Sequence, residues 1–197
     1  MKVKDNNEIT VKIKGDFDEF INLLIKRGYE VTDKFDMRDS YFIPNDLNIE
    51  LLSTRDIIAK CAIVRHVRRK LKGGEYKNIT FKEKEIDKDG IITSQKAYKV
   101  DVGDVEEAKV LLTKLGFKEI MSIFEDDVVY EKDGVALAIK NIEGGDNLIE
   151  VETRDKDGYR TIEELKETIT KIDIPIYTDN FFVKKAEVEL DKILKRS

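Results

Sequence analysis

Glu8-Ile9-Thr10-Val11-Lys12 near the start of the chain and Leu148-Ile149-Glu150-Val151-Glu152 near its end decide the fold. Both alternate apolar and polar residues with the period of two that places one set of side chains on each face of a β-strand. Here the polar set is mostly charged, and the same habit recurs at His66/Arg68, Lys82/Lys84 and Glu125/Asp127. Many strands with one apolar face and one doubly charged face suggest a closed barrel whose charged faces point inward. Such a lumen suits a polyanion together with its metal ions.

The composition narrows the alternatives. The 197 residues read as one domain spanning 1–197, and 41% hydrophobic content supports a real core. Charged residues reach 39%, well above the usual quarter, yet the net charge of −5 argues against a general nucleic-acid or membrane surface. No apolar run approaches the ~20 residues of a membrane span. Met1-Lys2-Val3-Lys4 leads into no signal-peptide core, so a cytoplasmic location is expected. Cys61 is the only cysteine and His66 the only histidine. A disulfide within the chain, a cysteine metal site, His-based metal binding and a catalytic triad with His are thereby set aside. No Gly-x-Ser-x-Gly elbow and no Gly-rich phosphate loop is present.

Four helices are expected from apolar spacing and end signals: Asp16 to Arg27, Asp104 to Leu115, Thr161 to about Ile172, and Lys184 to Lys195. A short helix capped by Ser53 or Thr54 should run to about Lys60. Asp89-Gly90 and Asp133-Gly134 sit between alternating runs and predict tight hairpins. The first two helices share a weak repeat, Leu23-Leu24-Ile25-Lys26-Arg27-Gly28-Tyr29 against Leu111-Leu112-Thr113-Lys114-Leu115-Gly116-Phe117. At the same offset Asp39 and Phe42 fall on Asp127 and Tyr130, which predicts an α+β barrel with internal pseudo-symmetry.

Five segments, in order, resemble the CYTH, or triphosphate tunnel, superfamily. Glu8-x-Thr10-x-Lys12 resembles its opening Glu-x-Glu-x-Lys strand, and Asp39-Ser-Tyr-Phe42 its Asp-Thr-Tyr-Phe strand. His66-Val-Arg68 resembles its Arg-x-Arg, Ile79-Thr-Phe-Lys82 its Leu-Thr-x-Lys, and Gly145 with Leu148–Glu152 its glycine turn and closing Glu-x-Glu strand. The resemblance implies an eight-stranded antiparallel β tunnel with helices packed outside. It also implies a triphosphate-containing small molecule or inorganic polyphosphate as ligand, with Mg²⁺ or Mn²⁺ as cofactor. Carried over by motif, Lys12, Arg68, Lys82 and Lys99 would clamp phosphates with His66 in an arginine's place, while Glu8, Glu150 and Glu152 would hold the metal. The implied activity is metal-dependent triphosphate hydrolysis. A catalytically degraded polyanion sensor or interaction module and a class IV adenylyl cyclase are the alternatives.

The chain departs from that pattern at several positions. Thr10 replaces a carboxylate, Gln95-Lys-Ala97-Tyr-Lys99 loses two, and Glu125-Asp-Asp127 and Lys140 stand where the family has the opposite charge. Hairpin register gives these changes a geometry. A two-residue turn at Asp133-Gly134 puts Asp127 opposite Lys140, so that pair has swapped sign together. A turn at Asp89-Gly90 puts Ala97 opposite Lys82 and Lys99 opposite Thr80, leaving Lys82 without a carboxylate partner. A three-residue turn at Gly73-Gly74-Glu75 would put His66 opposite Lys82 and Arg68 opposite Thr80. One wall is then expected to carry His66, Arg68, Lys82, Lys84 and Lys99, and the other Glu8, Glu125, Asp127, Glu150 and Glu152, tempered by Lys12 and Lys140.

Overall fold

The computed structural model describes residues 2–5, 7–86, 92–152 and 160–195. Their elements run β1 (Lys2–Asp5), β2 (Glu8–Lys12), α1 (Phe17–Lys26), β3 (Glu30–Pro44), a 3-10 turn (Ile49–Leu51), α2 (Thr54–Ile58), β4 (Ala62–Arg69), β5 (Glu75–Ile86) and β6 (Ile92–Asp101). They continue with α3 (Val105–Lys114), β7 (Phe117–Lys132), β8 (Val135–Ile142), β9 (Asn147–Glu152), α4 (Ile162–Lys171) and α5 (Lys185–Leu194). All the expected helices form, and their caps explain where they start. Asp16, Ser53 and Asp104 each accept from a backbone N–H of the first turn, and Thr161 with Glu164 closes a reciprocal capping box. α1 and α3 both end before a glycine at positive φ, Gly28 at 81° and Gly116 at 88°.

Every strand pairing is antiparallel, in the order β1-β6-β5-β4-β3-β7-β8-β9-β2. β1 and β2 are one N-terminal strand with a short interruption. β1 holds β6 at one edge of the sheet and β2 holds β9 at the other. The same segment therefore grips both edges, which requires the sheet to curl into the expected eight-strand tunnel. Asn7 marks the interruption, donating to the Arg160 carbonyl and accepting from the Gln95 N–H. The Asp89-Gly90 turn lies outside the described residues, but the register on either side of it is the expected one.

The repeat extends through the whole sheet. β3-β4-β5 followed by β6 corresponds to β7-β8-β9 followed by β2, so each half lends its first strand to the end of the other half. Asp39 corresponds to Asp127. Register then makes Arg65, opposite Asp39, the equivalent of Lys140, opposite Asp127. The same bookkeeping pairs Lys82 with Glu152 and Thr80 with Glu150. Backbone symmetry thus keeps like charges at Asp39/Asp127 and Arg65/Lys140 and sets Lys82 in one half against Glu152 in the other.

Outside the tunnel, Phe20 and Leu24 of α1 and Ile162, Leu165 and Ile169 of α4 bury the outer faces of β2, β8 and β9 through Ile9, Val11, Ile139, Ile149 and Val151. Ala108 and Leu112 of α3 pack on Phe42 and Val64. A third cluster fills one end of the lumen: Ala186 and Leu190 of α5, with Ile57 of α2, meet Tyr41, Ile43, Ile63, Ile142 and Leu148 from the inner face. Cys61 is buried there, as expected of a small apolar residue, and burial pushes its thiol up to about 12. No helix among the described residues is long and apolar enough to cross a membrane.

Leu165 is fully buried under α4. Leu165→Ala should cost about 2–5 kcal/mol in urea-induced unfolding, whereas the exposed Lys171→Ala should stay within about 0.5 kcal/mol.

Candidate functional site

A cavity of about 780 Å³, its open mouth included, occupies the lumen beside the apolar stopper. Its acidic side is made by β2 and β9, which run antiparallel with Glu8 opposite Glu152 and Thr10 opposite Glu150. All four point inward because their neighbours Ile9, Val11, Ile149 and Val151 are claimed by the core outside. Oxygens of Glu8, Glu150 and Glu152 lie within 4.8 Å of one another. Burial, then the charges of Glu150 and Glu8, raise the Glu152 carboxyl to about 7.

The basic side comes from β4, β5 and β6: Arg65, Lys82, Lys84 and Lys99 all line the cavity. Lys82 reaches across the lumen to both oxygens of Glu8, at 2.9 and 3.0 Å. This corrects the expectation that Lys82 lacks a carboxylate partner. The partner is supplied through space by the opposite wall, not by the neighbouring strand. Lys84 and Lys99 make no ion pair among the described residues. Burial and the nearby Lys184 and Lys82 charges lower Lys84 to about 8, and burial with Arg65 and Lys82 lowers Lys99.

Three expected clamp residues lie elsewhere. The turn after β4 is longer than three residues, with Arg69 N–H donating to the Gly74 carbonyl, so His66 pairs with Lys77 and Arg68 with Glu75. That shift by an odd number of residues exchanges the two faces of β4. His66 and Arg68 therefore sit on the outer surface beside Asp36, Arg38 and Phe124, with His66 Nε2 2.8 Å from Glu75, while Ile63 and Arg65 take the lumen. Lys12, at the end of β2, forms a half-exposed ion pair with Asp146 at 2.8 Å and does not line the cavity.

Deeper in, charges are paired side by side. Arg65 binds Asp39 through two 2.7 Å bonds, and Lys185 adds a third at 2.9 Å. Burial alone would raise the Asp39 carboxyl, but Arg65 and Lys185 hold it well below the ordinary range. Lys185 also donates to Glu125. Lys140 lies 3.3 Å from Asp127, 3.8 Å from Glu125 and 3.6 Å from Glu150, so the expected Asp127–Lys140 pair forms within a larger cluster. Burial lifts Asp127 to about 7 despite Lys140, with Glu125 adding to the rise. Asp127 Oδ1 and Glu125 Oε2 are buried and accept no hydrogen bond among the described residues.

Sequence reasoning missed Arg65, Lys184 and Lys185. Arg65 had a signal, because the repeat makes it the counterpart of Lys140. The two lysines had none in the strand pattern. They arrive because segment 175–183 follows β2, with Thr10 N–H donating to the Phe181 carbonyl and Val183 N–H to that of Thr10. The chain then turns into α5 at the lumen, where Lys184 meets Glu8 at 3.2 Å.

The donor set fits a hard divalent cation: three convergent carboxylates, one of them raised by burial and by the charges of the other two, supply oxygen ligands in a site that gains from added positive charge. The facing cations fit phosphate oxygens. Arg65 in particular commits only two of its five donors to Asp39.

No protein-family model matches the chain. A Methanocaldococcus jannaschii protein that carries the name "Putative adenylate cyclase" is 26% identical over 189 residues, spanning 93% of this chain and 97% of its own length. A solved Pyrococcus horikoshii protein shares the fold with a TM-score of 0.66 at 20% identity, over 94% of this chain and 99% of that one. A Hippeastrum protein described as a "putative adenylyl cyclase" with a dominant triphosphatase activity gives 0.56 at 13% identity, over 94% of both chains. Strand order and tunnel closure agree with these likenesses: the chain shares the fold of the solved structures, and its strand motifs resemble those of the CYTH, or triphosphate tunnel, superfamily.

Proposed function

We propose that the lumen binds a triphosphate-containing ligand and hydrolyses it with a divalent metal, Mg²⁺ or Mn²⁺. One observation carries the reading: Glu8, Glu150 and Glu152 converge on one wall while Lys82, Lys84, Lys99 and Arg65 face them across the same cavity. Phosphoryl transfer asks a protein mainly for positioning and charge neutralisation, and these residues offer both. Glu8, Glu150 and Glu152 would hold the metal, which when bound would polarise the phosphoryl group and favour an attacking water. Lys82 and Lys99 hold phosphate oxygens as point charges, and Arg65 presents its remaining N–H groups in a fixed plane. Lys84 and Lys184, near the Glu8 end, extend the cationic lining. The relatives' names support the class of ligand, and the Hippeastrum protein's triphosphatase activity supports the reaction.

A second reading, a polyanion sensor without turnover, is favoured by the deep pairing of Glu125 and Asp127 with Lys140, at positions where the family pattern is inverted. The readings separate in one assay. Phosphate release from inorganic triphosphate, thiamine triphosphate and ATP should require Mg²⁺ or Mn²⁺ and stop with EDTA. Salt-sensitive triphosphate binding without turnover leaves the sensor, and cyclic AMP formed from ATP identifies a cyclase.

Lys82→Glu should weaken triphosphate binding by about tenfold or more, since it replaces an attraction with a repulsion, and unchanged affinity would remove Lys82 from the site. Glu152→Gln should raise the Mg²⁺ concentration needed for half-maximal turnover with circular dichroism unchanged. A pH series should show triphosphate affinity falling as pH rises through about 8, where Lys84 loses its proton. Lys84→Met should flatten that fall.

A further inference from the structure

The repeat accounts for one helix and its covered surface in only one half of the molecule. The α1 cluster of Phe17, Phe20, Leu24, Tyr29, Tyr130, Leu137, Ile139 and Ile149 has a position-by-position counterpart under α3: Val105, Ala108, Leu112, Phe117, Phe42, Ala62, Val64 and Ile79. α4 has no counterpart among the described residues, where β5 ends at Ile86 and β6 begins at Ile92. The strand residues that α4 covers, Ile9, Val11 and Val151, are at most 2% exposed. Their equivalents are Tyr98, Val100 and Phe81, of which Phe81 is 39% and Val100 48% exposed. The flanking helix repeats the difference. In α1 the end beside α4 is engaged, Arg27 donating to the carbonyls of Ile172 and Asp173. The α3 residue at the repeat position of Arg27 is Leu115, 65% exposed, and Leu111 one turn before it is 55% exposed.

We infer that this surface, the outer face of β5–β6 beside α3, is a dimer interface occupied by a second copy of this chain, whose α3 takes the place α4 holds in the other half. The patch is self-complementary. It sets an apolar helix stripe, Leu111 and Leu115, next to an apolar sheet face, Phe81, Tyr98 and Val100. A two-fold rotation lays each stripe on the other copy's sheet face and covers both at once. At the margins, the exposed Glu107 lies one turn before Leu111 on the stripe, and the exposed Lys96, which faces Glu83 across β5–β6, lies on the sheet face beyond Tyr98. An exposed apolar surface spread over two elements is what monomeric proteins avoid and interfaces use.

Sedimentation velocity over a range of protein concentrations tests this. The wild-type chain should sediment as a dimer of 22.8 kDa subunits. Phe81→Lys and Leu111→Glu should each sediment as monomers, with unchanged circular dichroism and unchanged triphosphate binding. Leu51→Lys, an exposed apolar residue elsewhere, should leave the dimer intact. A wild-type chain that is monomeric at every concentration overturns the inference and leaves the patch to a different partner. A dimer that survives both Phe81→Lys and Leu111→Glu overturns it as well.

Discussion

Ionised side chains buried inside a closed sheet must be paired, and most of this molecule follows from that. A buried charge without a partner costs several kcal/mol, while a well-formed pair roughly breaks even. The inner face of this tunnel therefore carries a near balance of the two signs. Asp39 is held by Arg65 and Lys185, Asp127 and Glu125 by Lys140 and Lys185, and Glu8 by Lys82 and Lys184. Apart from Lys184 and Lys185, which enter from the C-terminal segment, these side chains belong to the strand walls. C-terminal docking is thus part of the electrostatic closure of the lumen as well as of its apolar stopper.

The same constraint explains how a sequence with inverted family positions keeps the family fold. Asp127 opposite Lys140 is the repeat image of Asp39 opposite Arg65, so the exchange of sign restores a symmetry of the scaffold. What pairing leaves over is concentrated at one place. Glu150 and Glu152 stand against Thr80 and Lys82 at equivalent positions of the two halves, and Lys84 and Lys99 make no ion pair among the described residues. That residue of unbalanced charge, acid on one wall and base on the other, is what a metal and a polyphosphate would complete.

Much of this was legible one strand at a time. The alternation of Glu8–Lys12 and Leu148–Glu152 set which side chains face inward, and Asp133-Gly134, with φ of 49° and 80°, fixed the β7–β8 register residue for residue. The failure at β4–β5 came from a single turn length. Gly73-Gly74 marks a turn without stating how many residues it contains, and an odd error sends every side chain to the wrong face. His66 and Arg68 were assigned to the lumen that Ile63 and Arg65 occupy. The β4 segment Ala62–Arg69 gave little warning, because Val64 and Val67 fall on opposite faces and both are buried.

By itself, then, the sequence determined the tunnel: the period of two, the caps and glycine stops of the helices, the repeat, and the carboxylates of the acidic wall, all properties of residues near one another in the chain. Tertiary structure alone decided which cations meet them. Lys82 finds Glu8 across the lumen, Lys184 and Lys185 come from the far end of the chain, and Lys12 is drawn out to Asp146. Those contacts depend on how far the sheet curls and where its last helix docks. Local periodicity carries no record of either, because each is settled by long-range closure of a surface.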